Sequence, residues 1–260
     1  MSRLLEVSGL SRRFGGLMAV RDLSFSVEQG EILGLIGPNG AGKTTVVNLV
    51  SGMILPSAGR VGFDGEDVTR MPPHQRARRG LVRTFQSAAV YQSRSVRENA
   101  IRGAYLQSWA GHFPSFFGTR RAREQARAAA ERVDGLLDWL GLARLADAPA
   151  DALPYGHQKT LGIVIALAAQ PRLILLDEPV AGLSAEETDH VRETISRVRE
   201  RGISVIVIDH NMRFISGLCD RLVVTSQGEE IAQGLPQQVL ANPKVIEAYL
   251  GKAYAAAKSQ

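Results

Sequence analysis

The segment GPNGAGKT, from Gly37 to Thr44, constrains the fold of this chain more than any other feature of its sequence. An apolar run precedes it and a helix-like segment, Lys43 to Leu49, follows, which is the pattern of a strand, a glycine-rich loop and a helix. Glycines let such a loop curl so that successive N–H groups face phosphate oxygens, and the helix N-terminus adds positive potential. We therefore expect Lys43 to reach the β- and γ-phosphates of a nucleotide and the Thr44 hydroxyl to bind Mg²⁺. The expected phosphate-binding residues are Gly37, Pro38, Asn39, Gly40, Ala41, Gly42, Lys43, Thr44 and Thr45.

Apolar runs rich in Val, Ile and Leu recur along the chain and have the length of strands that are buried on both faces. They are EILGLIG (31–37), RLILLDE (172–178), ISVIVIDH (203–210) and RLVVTSQG (221–228). A helix between the second and third runs is indicated by apolar residues at helical spacing and by Ser184 with Glu187 as a capping box, and Gly202 is its expected stop. The pattern predicts an α/β fold with a largely parallel sheet.

Two regions differ from this pattern. LLEVSGL and LSFSVEQGE, within the first thirty residues, alternate and contain glycine turns, which predicts added antiparallel strands. The region 88–160 has few strand signals and a long Arg/Ala-rich stretch, which predicts an inserted helical subdomain. We divide the chain into 1–87 (antiparallel β subdomain and the phosphate-loop part of the core), 88–160 (helical subdomain), 161–240 (rest of the core) and 241–260 (C-terminal helix and tail).

Acidic residues and a histidine end two of the apolar runs. Asp177 stands at the end of RLILLDE, where a carboxylate can hold Mg²⁺ through water, and Glu178 can take a proton from the attacking water. His210 ends the next run, where a γ-phosphate contact is expected. With the phosphate loop, these residues predict hydrolysis of a nucleotide phosphate with Mg²⁺ as the cofactor.

Composition excludes several classes of protein. The chain has 260 residues, a net charge of +5 and a single cysteine, Cys219, so no intramolecular disulfide can form. Its start lacks a long apolar segment, and the apolar run Leu161 to Ala169 has nine residues where a membrane span needs about 20. We expect any role at a membrane to depend on a partner.

Taken together, these motifs resemble the ATP-binding cassettes of ABC transporters. The resemblance covers nearly the whole chain and rests on the phosphate loop, Gln86 in RTFQ, LILLDE, AGLS (181–184) and His210. It implies a P-loop NTPase with a RecA-like core, an antiparallel β subdomain and an inserted α-helical subdomain. It also implies that Gln86 binds Mg²⁺ and the attacking water, that His210 is the switch histidine, and that two cassettes sandwich two ATP molecules head to tail.

Further motifs resemble the cassettes of branched-chain amino-acid importers. They are FGGLMAV (14–20), RTFQ, the insertion 104–130, YGHQK, DEPVAGLS and NPKVIEAYLG (242–251). This resemblance implies import of a small solute, most simply a branched-chain amino acid. It implies a second cassette, two transmembrane permease subunits, an indirect extracytoplasmic solute-binding protein, and a peripheral position on the cytoplasmic face of the inner or plasma membrane. Urea or amide importers and lipopolysaccharide exporters share part of the pattern and remain alternatives.

Cassettes of this family have a third motif, called the signature and usually written LSGGQ, between the phosphate loop and LILLDE. In this chain the corresponding segment reads LPYGHQ at 153–158. Tyr155 is a feature of the subfamily, and Gly156 is kept with the helix expected to start after it. Pro154 replaces a residue, often Ser, that could donate to the γ-phosphate of the other subunit's ATP, and His157 replaces Gln. Losing one charge-assisted hydrogen bond costs about 1.5–3 kcal/mol. We therefore expect a heterodimer in which the segment Tyr155, Gly156, His157 and Gln158 gives the partner's ATP a weakened contact.

Phe14 occupies the position of the aromatic residue on which the adenine base stacks in this family, and the alternative is that it belongs to the core of the β subdomain. A different class of function, a non-transport ABC ATPase acting on nucleic acid, usually has two cassettes in one chain or a long coiled coil. Neither feature is present in the sequence, so we expect no nucleic-acid partner.

Overall fold

The computed structural model describes residues 3–84, 90–108 and 120–250. The N-terminal part contains an antiparallel sheet with the order β2–β1–β4–β5, formed by β1 (Arg3–Phe14), β2 (Leu17–Glu28), β4 (Ala58–Phe63) and β5 (Glu66–Asp67). The first two strands pair through the tight turn after Phe14, whose register partner is Leu17. The prediction of antiparallel strands in the first thirty residues is confirmed, whereas β4 and β5 had no recognised signal.

A six-stranded sheet forms the centre of the fold. Its strands are β3 (Ile32–Ile36), β6 (Leu81–Arg83), β7 (Leu173–Asp177), β8 (Ser204–Ile208), β9 (Arg221–Ser226) and β10 (Glu229–Gly234). The order is β10–β9–β3–β8–β7–β6, and all neighbouring pairs are parallel except β10 with β9. The four apolar runs correspond to β3, β7, β8 and β9, so the predicted parallel sheet and the α/β fold class are confirmed.

Helices cover this sheet and make up most of the described residues between β6 and β7. They are α1 (Lys43–Val50), α2 (Pro73–Arg78), α3 (Val96–Ser108), α4 (Arg120–Trp139), α5 (Tyr155–Ala168), α6 (Ala185–Glu200), α7 (Met212–Ser216), α8 (Pro236–Leu240) and α9 (Pro243–Leu250). Two 3₁₀ turns, Ala143–Leu145 and Ala150–Ala152, precede α5. Among the helices described, none combines the length and apolarity that crossing a bilayer demands.

Alternating side chains of the central strands separate two apolar layers. Leu33 and Leu35 of β3 pack with α1 and the antiparallel sheet, whereas Ile32 and Ile36 pack with the helices on the opposite face. The second layer continues without a break into α3 and α4, where Val133 is fully buried. The helical segment therefore shares the core of the sheet and is anchored to it through α5.

The capping signals explain where two helices begin. Ser184 and Glu187 form the predicted capping box at the start of α6, and Gly202, with φ of 76°, follows its end. The expected helix start after Gly156 is wrong by two positions, because α5 already begins at Tyr155. Pro154 causes this difference, since its extended conformation (φ −51°, ψ 147°) leads the chain directly into the first helical turn.

Candidate functional site

The carboxyl ends of three adjacent parallel strands bring the predicted site residues to one edge of the central sheet. Ile208 of β8 is in register with Leu35 of β3 on one side and with Asp177 of β7 on the other. The phosphate loop follows β3, Glu178 follows β7, and His210 follows β8 by two residues. In open α/β sheets this edge is where ligands bind.

Two glycines of the phosphate loop, Gly37 and Gly42, lie where any larger residue would clash with neighbouring backbone. Gly42 has φ of 91° and is the N-cap of α1, and a Cβ atom there would lie 2.4 Å from the carbonyl oxygen of Ala19 in β2. At Gly37 a Cβ would lie 2.1 Å from the carbonyl oxygen of Thr225. The loop is thus held between the antiparallel sheet and β9, with its backbone N–H groups at the start of α1, where a helix favours anions.

Lys43 lies inside its own loop. Its Nζ donates to the carbonyl oxygens of Gly37 at 2.7 Å and Pro38 at 3.0 Å. Burial lowers the pKa of the Lys43 ammonium, and the charges of Glu178 and Asp177 act in the opposite direction.

Asp177 is held by a residue that the sequence did not reveal. Its Oδ2 lies 2.8 Å from Nη2 of Arg83, the last residue of β6, and both side chains are largely buried. Thr44 stands next to Lys43 in the first turn of α1, with an exposed side chain. A hydroxyl and a carboxylate are hard oxygen donors of the kind that Mg²⁺ prefers, so these residues fit that ion.

The backbone of Glu178 is fixed from two sides in an unusual conformation. Its φ is 49°, in the left-handed region, and its N–H donates to the carbonyl oxygen of Ile208 at 2.7 Å. Its own carbonyl oxygen accepts a hydrogen bond from Nζ of Lys159 in α5 at 3.2 Å. Left-handed conformations of non-glycine residues are costly and often mark functional positions, and here β8 and α5 maintain it.

Asp209 organises the turn that carries His210. Its buried carboxylate accepts the backbone N–H groups of His210 at 2.8 Å and Asn211 at 2.9 Å, and that of Val180 at 3.4 Å. The first two bonds shape the turn after β8, and the third connects it to the segment that follows Glu178. The imidazole of His210 is 67% exposed, so it is presented to solvent at the sheet edge. Sequence reasoning missed Asp209, although a carboxylate directly after a fully apolar strand was a usable signal.

The signature residues lie in the first turn of α5, where they contact the start of α6. Oε1 of Glu187 accepts the N–H of Gly156 at 3.1 Å, while Oε2 accepts the N–H of Ser184 at 2.9 Å. These two hydrogen bonds hold the pKa of the Glu187 carboxyl below its usual value, and the bond from Ser184 has the larger effect. The signature and the AGLS segment of the same chain are therefore joined through one carboxylate, a link that the capping-box pattern alone did not predict.

Two further side chains of this turn, those of His157 and Gln158, have contacts that fix their positions. The rings of His157 and His190 stack with centroids 5.9 Å apart, and Nε2 of Gln158 donates to the carbonyl oxygen of Leu153 at 3.0 Å. Tyr155 is exposed. Pro154 makes no side-chain capping bond, as expected for a side chain without an acceptor atom.

Phe14 lies at the end of β1 with 44% of its side chain exposed, so it does not belong to the core of the β subdomain. The guanidinium of Arg12 lies 4.6 Å from its ring centroid. Phe14 is in register with Leu17 of β2, the strand that also carries Ala19, the neighbour of Gly42. The remaining predicted residue, Gln86, lies outside the described residues.

Comparison with known proteins agrees with this geometry. The sequence model described as ABC transporter matches residues 20–181, and one described as branched-chain amino acid ATP-binding cassette transporter matches residues 229–255. The chain is 40% identical over 255 residues to the high-affinity branched-chain amino acid transport ATP-binding protein BraF of Pseudomonas aeruginosa, covering 97% of this chain and 100% of the relative. It is 39% identical to LivG of Escherichia coli K12, with 96% and 98% covered, and 34% identical to the lipopolysaccharide export protein LptB of Haemophilus influenzae, with the same coverage.

Among solved structures, the ADP conformation of MJ1267, an ATP-binding cassette of an ABC transporter, superposes with a TM-score of 0.86 at 29% identity, covering 97% of this chain and 100% of that chain. The family model spans more than half of the chain, and the relatives align over nearly their full lengths. The chain therefore belongs to the ABC transporter family, as one of its ATP-hydrolysing ATP-binding cassettes.

Proposed function

We propose that this ATPase powers the import of branched-chain amino acids. The observation that carries the ATPase part of this proposal is that the phosphate loop, Asp177, Glu178 and His210 meet at one edge of the central sheet. The similarity to BraF and LivG, both named for branched-chain amino acid transport, supports this substrate class over the lipopolysaccharide named for LptB, which is less similar.

In this proposal the phosphate loop binds the nucleotide. The N–H groups at the start of α1 receive the phosphate oxygens, and Lys43 exchanges its bonds to Gly37 and Pro38 for the β- and γ-phosphates. Phe14, exposed at the end of β1, stacks on the adenine base. Thr44, Asp177 and Gln86 would hold Mg²⁺, and the ion would supply positive charge against the charge that develops on the phosphates.

Glu178 is the proposed general base and takes a proton from the attacking water. Its left-handed backbone is fixed by hydrogen bonds with β8 and α5, which limits the directions that the side chain can take, and its charge acts on Lys43 of the phosphate loop. Gln86 orients the same water, and His210, on the turn organised by Asp209, contacts the γ-phosphate. Water then attacks the γ-phosphorus of ATP and gives its proton to Glu178, and the bond to the bridging oxygen breaks, so that ADP leaves and inorganic phosphate forms.

The complete site requires a second cassette, whose ATP meets the signature turn Tyr155, Gly156, His157 and Gln158. Two features support a weakened signature in this chain. Pro154 has no N–H and makes no capping bond, and the N–H of Gly156 is bonded to Glu187. We therefore propose a heterodimer with a different cassette that has an ordinary signature.

The cassette pair would drive two transmembrane permease subunits that receive solute from an extracytoplasmic binding protein. The chain itself would lie peripherally on the cytoplasmic face of the membrane. In this arrangement the helical region 88–160 is the proposed subdomain that carries the signature toward the partner's ATP.

ATP hydrolysis by the purified subunits tests the proposal. Glu178→Gln should bind ATP but lower turnover by a factor of about 10²–10⁴, because a general base contributes about that much. Lys43→Ala should lose nucleotide binding itself. Reconstituted with its co-purifying subunits, the wild-type chain should support ATP-dependent uptake of leucine in preference to urea. ATP-dependent uptake of urea, or turnover that survives Glu178→Gln, would contradict the proposal.

A further inference from the structure

Arg83 connects two parts of the proposed nucleotide site. Its Nη2 lies 2.8 Å from Oδ2 of Asp177, and its Nη1 donates to Oδ1 of Asn48 at 2.6 Å. Asn48 belongs to α1, the helix that begins at Lys43, whereas Asp177 ends β7. One guanidinium thus joins the helix of the phosphate loop to the acidic residue assigned to Mg²⁺.

This contact is suited to orienting a carboxylate. The side chains of Arg83 and Asp177 are only 13% and 7% exposed, so water competes weakly for them. A buried ion pair carries a desolvation cost that offsets much of its attraction, and such a pair is weak evidence for stability. A planar guanidinium, however, fixes two acceptors in defined directions, which the flexible ammonium of a lysine does not do.

We propose that Arg83 is a positioning residue for Mg²⁺: it holds the Asp177 carboxylate in the orientation that the ion requires and ties that orientation to α1 through Asn48. This inference rests on the proposed function of the site. Carboxylates that bind metals are held by hydrogen bonds of this kind, and removing such a bond weakens metal binding about 10–100-fold. The positive charge of Arg83 acts in the opposite direction, by repelling Mg²⁺, so the sign of the effect separates orientation from charge.

The test measures the affinity of the full-length chain for a fluorescent N-methylanthraniloyl derivative of ADP during a titration with Mg²⁺, and again in EDTA. Mg²⁺ should increase the affinity for the probe, and the Mg²⁺ concentration that gives half of this increase should be about 10–100-fold higher in Arg83→Gln than in the wild-type chain. The affinity for the probe in EDTA, without Mg²⁺, should differ by less than about threefold. Arg83→Lys should also raise the half-saturating Mg²⁺ concentration about tenfold, because it keeps the positive charge but loses the planar guanidinium that bonds both Asp177 and Asn48.

A matched control is Arg79→Gln, since Arg79 forms an exposed ion pair with Glu66 away from the proposed site. Its Mg²⁺ titration should match that of the wild-type chain. Thermal unfolding in EDTA reports whether each variant is folded. If Arg83→Gln does not fold, Asn48→Ala carries the test, because it leaves the ion pair in place and removes only the link to α1. It should raise the half-saturating Mg²⁺ concentration several-fold.

Three results distinguish the possible failures. A half-saturating Mg²⁺ concentration that is unchanged or lower in Arg83→Gln overturns the inference and leaves the proposed function standing. A wild-type value for Arg83→Lys beside a large rise for Arg83→Gln also overturns it, because a single ammonium would then hold Asp177 as well as the planar guanidinium that also bonds Asn48. A wild-type chain that binds the probe under no condition overturns both the inference and the proposed function.

Discussion

Replacing Arg76 by methionine should destabilise the chain by about 3 kcal/mol, because this fully buried guanidinium satisfies a cluster of backbone carbonyls. It donates to the carbonyl oxygen of Val50 at 2.6 Å and to those of Leu49, Met71 and Thr69 at 2.9 Å. Leu49 and Val50 end α1, so Arg76 caps the helix of the phosphate loop and complements its dipole.

The magnitude follows from what each carbonyl loses. The Leu49 oxygen also accepts the N–H of Gly52 at 3.2 Å, so its loss is small. Each of the other three carbonyls is left short of a donor at a cost of about 1–3 kcal/mol. The lower end applies because burial of the guanidinium is itself unfavourable, as the lowering of the Arg76 pKa to about 10 indicates, and methionine removes that cost.

Urea denaturation followed by circular dichroism, without nucleotide, measures this effect. The control is Arg79→Met, three residues further along, where the side chain is 41% exposed and pairs with an exposed Glu66. Loss of that surface ion pair should cost less than about 1 kcal/mol. A loss of stability in Arg76→Met no larger than in Arg79→Met would refute the reasoning, since it would mean that the buried carbonyls gain nothing from the guanidinium.

Three further predictions concern the site. Gly42→Ala should abolish binding of a fluorescent nucleotide, because the added Cβ overlaps a carbonyl oxygen and the left-handed φ adds strain of about 1–2 kcal/mol; near-normal affinity would contradict this. Since the pKa of Glu187 is lowered in the folded state, its ionisation stabilises the fold above the ordinary value of 4.5, and that contribution is lost as the pH falls through the folded-state pKa. Glu187→Gln should therefore flatten the acid side of the stability–pH profile measured by urea denaturation, and a profile as steep as that of the wild type would exclude this role. Asp209→Asn replaces one acceptor oxygen by a donor and should cost about 1.5–3 kcal/mol in the same assay, whereas an unchanged midpoint would show that its three hydrogen bonds contribute nothing.

Local patterns predicted what depends on neighbouring residues. The loop around Gly42 and the strand ending at Asp177 could be found because their residue types stand side by side in the sequence. The capping box of Ser184 and Glu187 is equally local and is present as predicted. These features fix the fold class, since buried apolar runs between helices have few alternatives to a covered parallel sheet.

Contacts between distant segments could not be predicted in the same way. Arg83 and Asp177 are 94 residues apart, and Gly156 and Glu187 are 31 apart, so only the packing of β6 on β7 and of α5 against α6 brings them together. The strand β6 has three residues and ends in an arginine, too short for a periodic pattern. The early start of α5 follows from the backbone of Pro154, whose absence of an N–H was recognised but whose effect on the helix boundary was not.

Identification of the subunits that assemble with this chain tests the central claim most directly. A tagged Glu178→Gln variant, which should retain ATP, would be extracted from membranes in mild detergent with MgATP, and the co-purifying proteins would be identified by mass spectrometry. The account predicts two membrane proteins together with a second, different cassette. Two copies of this chain with no second cassette would contradict it, because the turn from Pro154 to Gln158 would then be a fully working signature.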